Sequence, residues 1–286
     1  MPQTQISYVT HKGTEVNLLS RPYYIEDASP LFSYEWNADI SYNRITGFNR
    51  AGVVSKAVPI GVAGGSASSV AAAKNTLHDI FETDVFAGNP GRLHVNGYYL
   101  DCYIMAEDLG TNMRQMKKSM YKIATDNPVW IRETQTISFS PAGQDDTIWG
   151  NQFSVTEAKE YPYGYDYGYP NPSEIHRFVN QSAVPCNFRL IIQGPWDNPS
   201  ITIAGHVYNV NVTLAGGEQL IIDSMKREIV KVSGGERINA FPFRNREPGK
   251  SPFEKIPSGL NEVSWIGEHS FFLTLIEERS APKWQT

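Results

Sequence analysis

With 286 residues and 41% hydrophobic content against 19% charged, the chain is long enough for about two domains and apolar enough to give each a core, which excludes a disordered protein. Its 25 basic and 30 acidic side chains leave a net charge of −5, so composition offers no electrostatic footprint for nucleic acid or for an anionic membrane. No run of about 18 apolar residues marks a membrane span, and MPQTQISYVTHKGTE lacks the basic-then-apolar pattern of a signal peptide, so a chain folded in the cytoplasm is expected.

From the N-terminus, Gln5 to Thr10 alternates, His11-Lys12-Gly13-Thr14 turns and Glu15 to Leu19 returns, which predicts a hairpin. Leu31 to Ala38, Asn43 to Phe48 and Val53 to Val62 read as further strands of an N-terminal sheet. Ser66-Ala67-Ser68-Ser69 then supplies helix-start residues, and Val70, Ala73, Leu77, Ile80 and Phe81 recur at helical spacing, predicting one substantial helix near 66–82. The glycines of Gly61 to Ser66 lack the Lys-Ser/Thr ending of a phosphate loop and the full dinucleotide fingerprint, so they are read as a turn.

Asn96-Gly97 between two β runs, Arg92 to Val95 and Tyr98 to Met105, is a strong hairpin signal. Met113 to Ile123 suits either period and is assigned to strand on context, and Thr134 to Phe139 resumes alternation after Asn127-Pro128. Composition then shifts abruptly at Glu157, to EAKEYPYGYDYGYPNP. Tyr161, Tyr163, Tyr165, Tyr167 and Tyr169 in this Tyr/Gly/Pro-rich linker are candidates for an interface, or for a platform on which glycans stack.

Beyond it, short runs recur: Ser182 to Gln193, Ile201 to Ile203, Val207 to Leu214, Leu220 to Asp223, Glu228 to Val232, Gly259 to Trp265 and Ser270 to Glu277. Asn198 to Asp223 reads as a meander with turns at Gly205-His206 and at Gly216-Gly217, and the set predicts about seven or eight antiparallel strands in a two-sheet sandwich, with the last strand beside an early one.

Chemistry is sparse. The six histidines (His11, His78, His94, His176, His206 and His269) fall in no metal-binding or triad spacing, and the carboxylate neighbours Asp145-Asp146 and Glu277-Glu278 would point to opposite faces of a strand. Cys102 and Cys186 lie in different halves without a CxxC and are expected to be buried thiols. No enzyme, cofactor or metal site is expected.

The order Gly194-Pro195-Trp196-Asp197-Asn198-Pro199-Ser200-Ile201, then Gly217-Glu218-Gln219-Leu220-Ile221-Ile222-Asp223, a strand ending in Gly234-Gly235, and Ile256-Pro257-Ser258-Gly259-Leu260-Asn261 resembles the C-terminal domain of the distal tail proteins of long-tailed, siphovirus-type bacteriophages. The helix near 66–82, the Asn96-Gly97 hairpin and Asp126 to Trp130 match the first half more loosely. The resemblance implies a mainly β protein: an N-terminal ring-forming β domain with one helix over 1–157, the linker over 158–172, and a galectin-like antiparallel β-sandwich over 173–286.

It further implies a structural virion protein at the tail tip, a hexameric hub joining the tail tube protein to the tail-associated or spike protein and to receptor-binding proteins. The alternative from the residues is a carbohydrate-binding sandwich for host cell-wall glycans, with His206, Asn209 and Asn211 as a polar line for sugar.

Overall fold

The computed structural model describes residues 4–50, 53–108, 118–140 and 176–284. The chain forms two compact units, Met1–Arg132 with Glu278–Thr286, and Glu133–Glu277. The expected boundary at 157 and the linker 158–172, with all five tyrosines, lie outside the described residues.

The first unit is built from β1 (Ile6–Val9), β2 (Glu15–Asn17), β3 (Tyr23–Ile25), α1 (Ser29–Phe32), β4 (Trp36–Ser41), β5 (Arg44–Arg50), β6 (Val54–Val62), α2 (Ala67–Ala87), β7 (Gly91–Val95), β8 (Tyr98–Asp108), β9 (Lys118–Thr125) and β10 (Trp130–Glu133). Antiparallel pairing runs β2-β1-β7-β8, and β8, paired to β7 along its first half and to β9 along its second, continues through β9-β6-β3. The first hairpin is as expected, with Tyr8 opposite Val16. So is the second: Asn96 and Gly97 take φ of 51° and 80°, the left-handed pair that a two-residue hairpin turn requires.

Helix α2 starts where its cap residue predicts. The Ser66 hydroxyl accepts from the amide of Ser69 at 3.2 Å, and the helix runs past Glu82 to Ala87, where Gly88 closes it in the left-handed conformation. Its buried face, Val70, Lys74, Leu77, Phe81 and Asp84, packs on a core that includes Tyr8, Ile60, Leu93, Tyr98, Tyr121 and Trp130. Leu31 and Phe32, expected in a strand, form instead the short helix α1: the Asp27 carboxylate accepts from the Ser29 amide and Pro30 fits a first helical turn.

The second unit is an antiparallel β-sandwich. It comprises β11 (Ile137–Phe139), β12 (His176–Asn180), β13 (Asn187–Gln193), β14 (Trp196–Asp197), β15 (Ser200–Ile203), β16 (His206–Asn209), β17 (Thr213–Leu214), β18 (Gln219–Asp223), β19 (Glu228–Ser233), β20 (Glu236–Asn239), β21 (Gly259–Trp265) and β22 (Phe271–Arg279), more strands than the sequence pattern predicts. One sheet is ordered β11-β22-β13-β18-β19-β20, the other β12-β21-β15-β16, with β14 and β17 as a separate pair. The last strand does return beside an early one: Leu190 faces Leu273 and Ile192 faces Phe271. Phe188, Leu190, Ile192, Ile201, Ile203, Tyr208, Leu220, Ile222 and Val263 fill the core.

Asn198 to Asp223 is therefore not one meander. β15 and β16 form a hairpin through Ala204-Gly205 in one sheet, whereas β18 belongs to the other, between β13 and β19. The crossing passes through β17, which pairs with β14, so the polar break after Asn209 marks a change of sheet.

Candidate functional site

Hydrogen bonds engage two clusters of titratable side chains around α2. Buried Asp84 accepts from the Tyr8 phenol at 2.6 Å, from the His11 amide at 2.9 Å and from His11 Nδ1 at 2.5 Å. Glu107 accepts from Lys74 Nζ at 2.9 Å and pairs with His78 Nε2. Burial opposes its ionisation, but the bonds from Lys74, Ser119 and His78 outweigh burial and hold its carboxyl below the ordinary value. These clusters pin α2 to the sheet.

Other histidines also have close neighbours. His94 is pushed down by burial and then by Arg92, His176 stacks on Trp265, and His269, pushed down by burial, stacks on Trp196 with centroids 4.1 Å apart. Among the described residues no three His, Cys, Asp or Glu side chains are grouped to hold a metal. Cys102 is buried and its thiol is pushed up to about 12, mainly by that burial, so it is no nucleophile. Asp145 and Asp146 lie outside the described residues, and Glu277 and Glu278 are consecutive residues of β22.

In the polar line, His206 and Asn209 are engaged by the segment after β20, whereas Asn211 is exposed and bonded through its backbone. His206 Nε2 meets the Ser251 carbonyl at 2.8 Å, Asn209 accepts from Asn245 at 3.0 Å, and the Asn211 amide donates to Phe243 at 2.9 Å. Tyr208 likewise donates its hydroxyl to the Glu254 carbonyl at 2.9 Å. A sugar on His206 or Asn209 would have to displace these bonds.

What stands open is the ribbon of β4 and β5. All six residues of β4 are exposed, and its turn residues Tyr42 and Asn43 take φ of 49° and 60°, which reverses the chain in two residues. Directly opposed residues share a face of an antiparallel pair, so Trp36, Ala38 and Ile40 with their partners Arg50, Phe48 and Ile45 make one side. The other side carries Asn37, Asp39 and Asn49, with Asn49 Nδ2 donating to Asp39 Oδ2 at 2.5 Å. The ribbon thus has the amphipathic pattern of a half-buried strand pair, yet Ile40 is 71% exposed, Phe48 61% and Ile45 59%.

A two-stranded ribbon is marginal in water by itself, and a contiguous apolar side marks an interaction surface. Strand character is legible in the sequence at Trp36 to Ala38 and Asn43 to Phe48, but the register shift between Asp39 and Ile40, which sets Ile45 opposite Ile40, is not. That its apolar side is left open by its own chain is a property of tertiary placement.

No family model and no curated protein matches the chain. Solved structures do. The chain is similar to one from the phage P2 baseplate in its activated conformation with Ca, at 14% identity and a TM-score of 0.56, over 98% of this chain and 100% of that one. It is similar also to the same baseplate activated with Sr, at 13% identity, a TM-score of 0.56 and the same coverage. The SPP1 Dit (gp 19.1) protein, described as a paradigm of hub adsorption apparatus in Gram-positive infecting phages, matches at 9% identity and a TM-score of 0.55, over 96% of this chain and 99% of that one. Over nearly its whole length, then, the chain carries the fold of phage baseplate and Dit hub proteins.

Proposed function

We propose that the chain is a structural virion protein, a distal tail protein that forms a hub at the phage tail tip. The observation that carries this reading is the β4–β5 ribbon: an amphipathic arm with Ile40, Ile45 and Phe48 uncovered needs another polypeptide to complete it. The whole-length likeness to baseplate and hub structures supports a second copy of the chain as that polypeptide. Head-to-tail contacts of this kind use two different patches per subunit and form a ring when the rotation closes, and the resemblance to distal tail proteins implies about six copies. The N-terminal unit makes the ring, joins the tail tube protein on one side and the tail-associated or spike protein on the other, and the sandwich unit faces receptor-binding proteins. In this role the protein works by assembly, without catalysis, after folding in the host cytoplasm.

Native mass spectrometry and electron microscopy of the purified protein test the reading. Rings of about six copies are expected, and a monodisperse monomer at micromolar concentration would overturn it. Carbohydrate binding by the sandwich is the weaker reading, because His206 and Asn209 already bond the 245–251 segment.

A further inference from the structure

At the base of the ribbon, within the first unit, lies a cavity of about 290 Å³. Leu100, Pro128 and Trp130 give it an apolar floor, and Arg50 and Lys56 a cationic wall. Lys56 is half-buried and donates to the Ser33 carbonyl, and burial holds its ammonium below the ordinary value. Arg50 lies with its guanidinium carbon 4.9 Å from the Trp36 ring centroid, and its Nε is buried without a hydrogen-bond partner among the described residues. Among the described residues, Glu35 is the one carboxylate on the lining, and it is exposed.

A buried guanidinium N–H left unbonded costs free energy that a bound acceptor would recover. An acceptor that is itself anionic gains most here, because both cations are partly removed from water and charge-assisted bonds are roughly twice as strong as neutral ones. The volume sits at the small end of ligand pockets and exceeds what a bare carboxylate fills, and the floor offers the remainder to an apolar group. We infer that this cavity is a binding site for a carboxylate joined to an apolar body of residue size, the chemistry of a polypeptide C-terminus ending in an apolar residue or of a small free acid. The carboxylate meets Arg50 and Lys56, and the apolar body lies on Leu100 and Trp130. The assignment is independent of the ring.

Titration of the purified full chain with N-acetylphenylalanine, followed by tryptophan fluorescence and calorimetry, tests it. Saturable binding is expected, weakened about tenfold or more in Arg50→Gln and less in Arg50→Lys, which keeps the charge but not the fork. N-acetylphenylalanine amide and inorganic phosphate, which lack the charge and the apolar body respectively, are expected to bind at least tenfold more weakly than the acid. Acetyl-Ala-Ala-Phe compared with 3-phenylpropionate separates the two sources: tighter binding of the peptide assigns a chain terminus, and equal binding a free acid. Equal affinity of the acid and its amide, phosphate binding as tight as the acid, or undiminished binding by an Arg50→Gln variant with unchanged thermal midpoint would overturn the assignment.

Discussion

The phenol of Tyr8 in β1 donates to the carboxylate of Asp84 in the last turns of α2 at 2.6 Å, and both side chains are inaccessible to solvent. A carboxylate near the C-terminal end of a helix faces the negative pole of the macrodipole, so Asp84 depends on its donors, Tyr8 and His11. Burial, and then this bond, raises the Tyr8 phenol well above its ordinary value, so it remains a donor throughout the physiological range. Asp84→Ala removes the shared acceptor and leaves a buried hydroxyl unbonded, with an expected cost of about 3 kcal/mol in urea unfolding. Asp84→Asn, which keeps one carbonyl oxygen, should cost less. Equal stability of Asp84→Ala and the parent would remove the network from the account of how α2 docks.

The ribbon should behave in the opposite way. Because Ile40 and Phe48 are exposed within the single chain, the double change Ile40→Ser with Phe48→Ser is expected to move the unfolding free energy of isolated subunits by only about 0.5 kcal/mol per site. The same variant is expected to lose the assembled state in analytical ultracentrifugation. Assembly as strong as the parent's would mean that this face is not the joint.

Acid sensitivity has a named contributor. Glu218 accepts from Lys231 Nζ at 2.6 Å and from the Ala215 amide at 2.7 Å, and these bonds, Lys231's first, hold its carboxyl at about 2 against an ordinary 4.5. A carboxylate depressed in the folded state contributes stability that is complete above the unfolded value and is lost as pH falls through the folded one. The stability gap between the parent and Glu218→Gln should therefore be present at about pH 6 and close progressively as pH falls from 4.5 toward 2. Urea titrations across that range check it, and a gap independent of pH would contradict the assignment.

Local chemistry carried much of the fold in the sequence. Ser66 marked the start of α2, Asn96-Gly97 fixed a hairpin, and Gly234-Gly235 fixed the turn between β19 and β20, because a cap or a left-handed residue pair specifies its geometry within a few positions. The far end of α2 was less legible, since its buried face continues beyond Phe81 through a polar residue, Asp84, whose partners are more than seventy residues away. The change of sheet between Asn209 and Gln219 was hidden for a related reason: alternation reports which face of a strand is apolar and not which sheet it joins. The candidate tyrosines 161 to 169 fall outside the described residues, and the open ribbon and the Arg50 cavity, both made by tertiary placement, had no local signature.

Two glycines with equally close neighbours should respond differently to alanine. A Cβ on Gly61 would lie 2.1 Å from the ring of Tyr24, and one on Gly194 would lie 2.1 Å from the backbone carbonyl of Ala215. Tyr24 is 38% exposed, so its ring can swing toward solvent, and Gly61→Ala is expected to cost about 1 kcal/mol or less. The Ala215 carbonyl cannot move alone, because it also accepts from the Glu218 amide at 3.1 Å, and Glu218's own carbonyl accepts from Gly194 at 2.8 Å. The overlap at Gly194 must therefore be relieved by shifting the backbone that joins the end of β13 to the turn before β18, at an expected cost of about 3 kcal/mol. Chemical denaturation of the two variants side by side distinguishes these cases. Equal losses would show that this turn yields as readily as a surface ring.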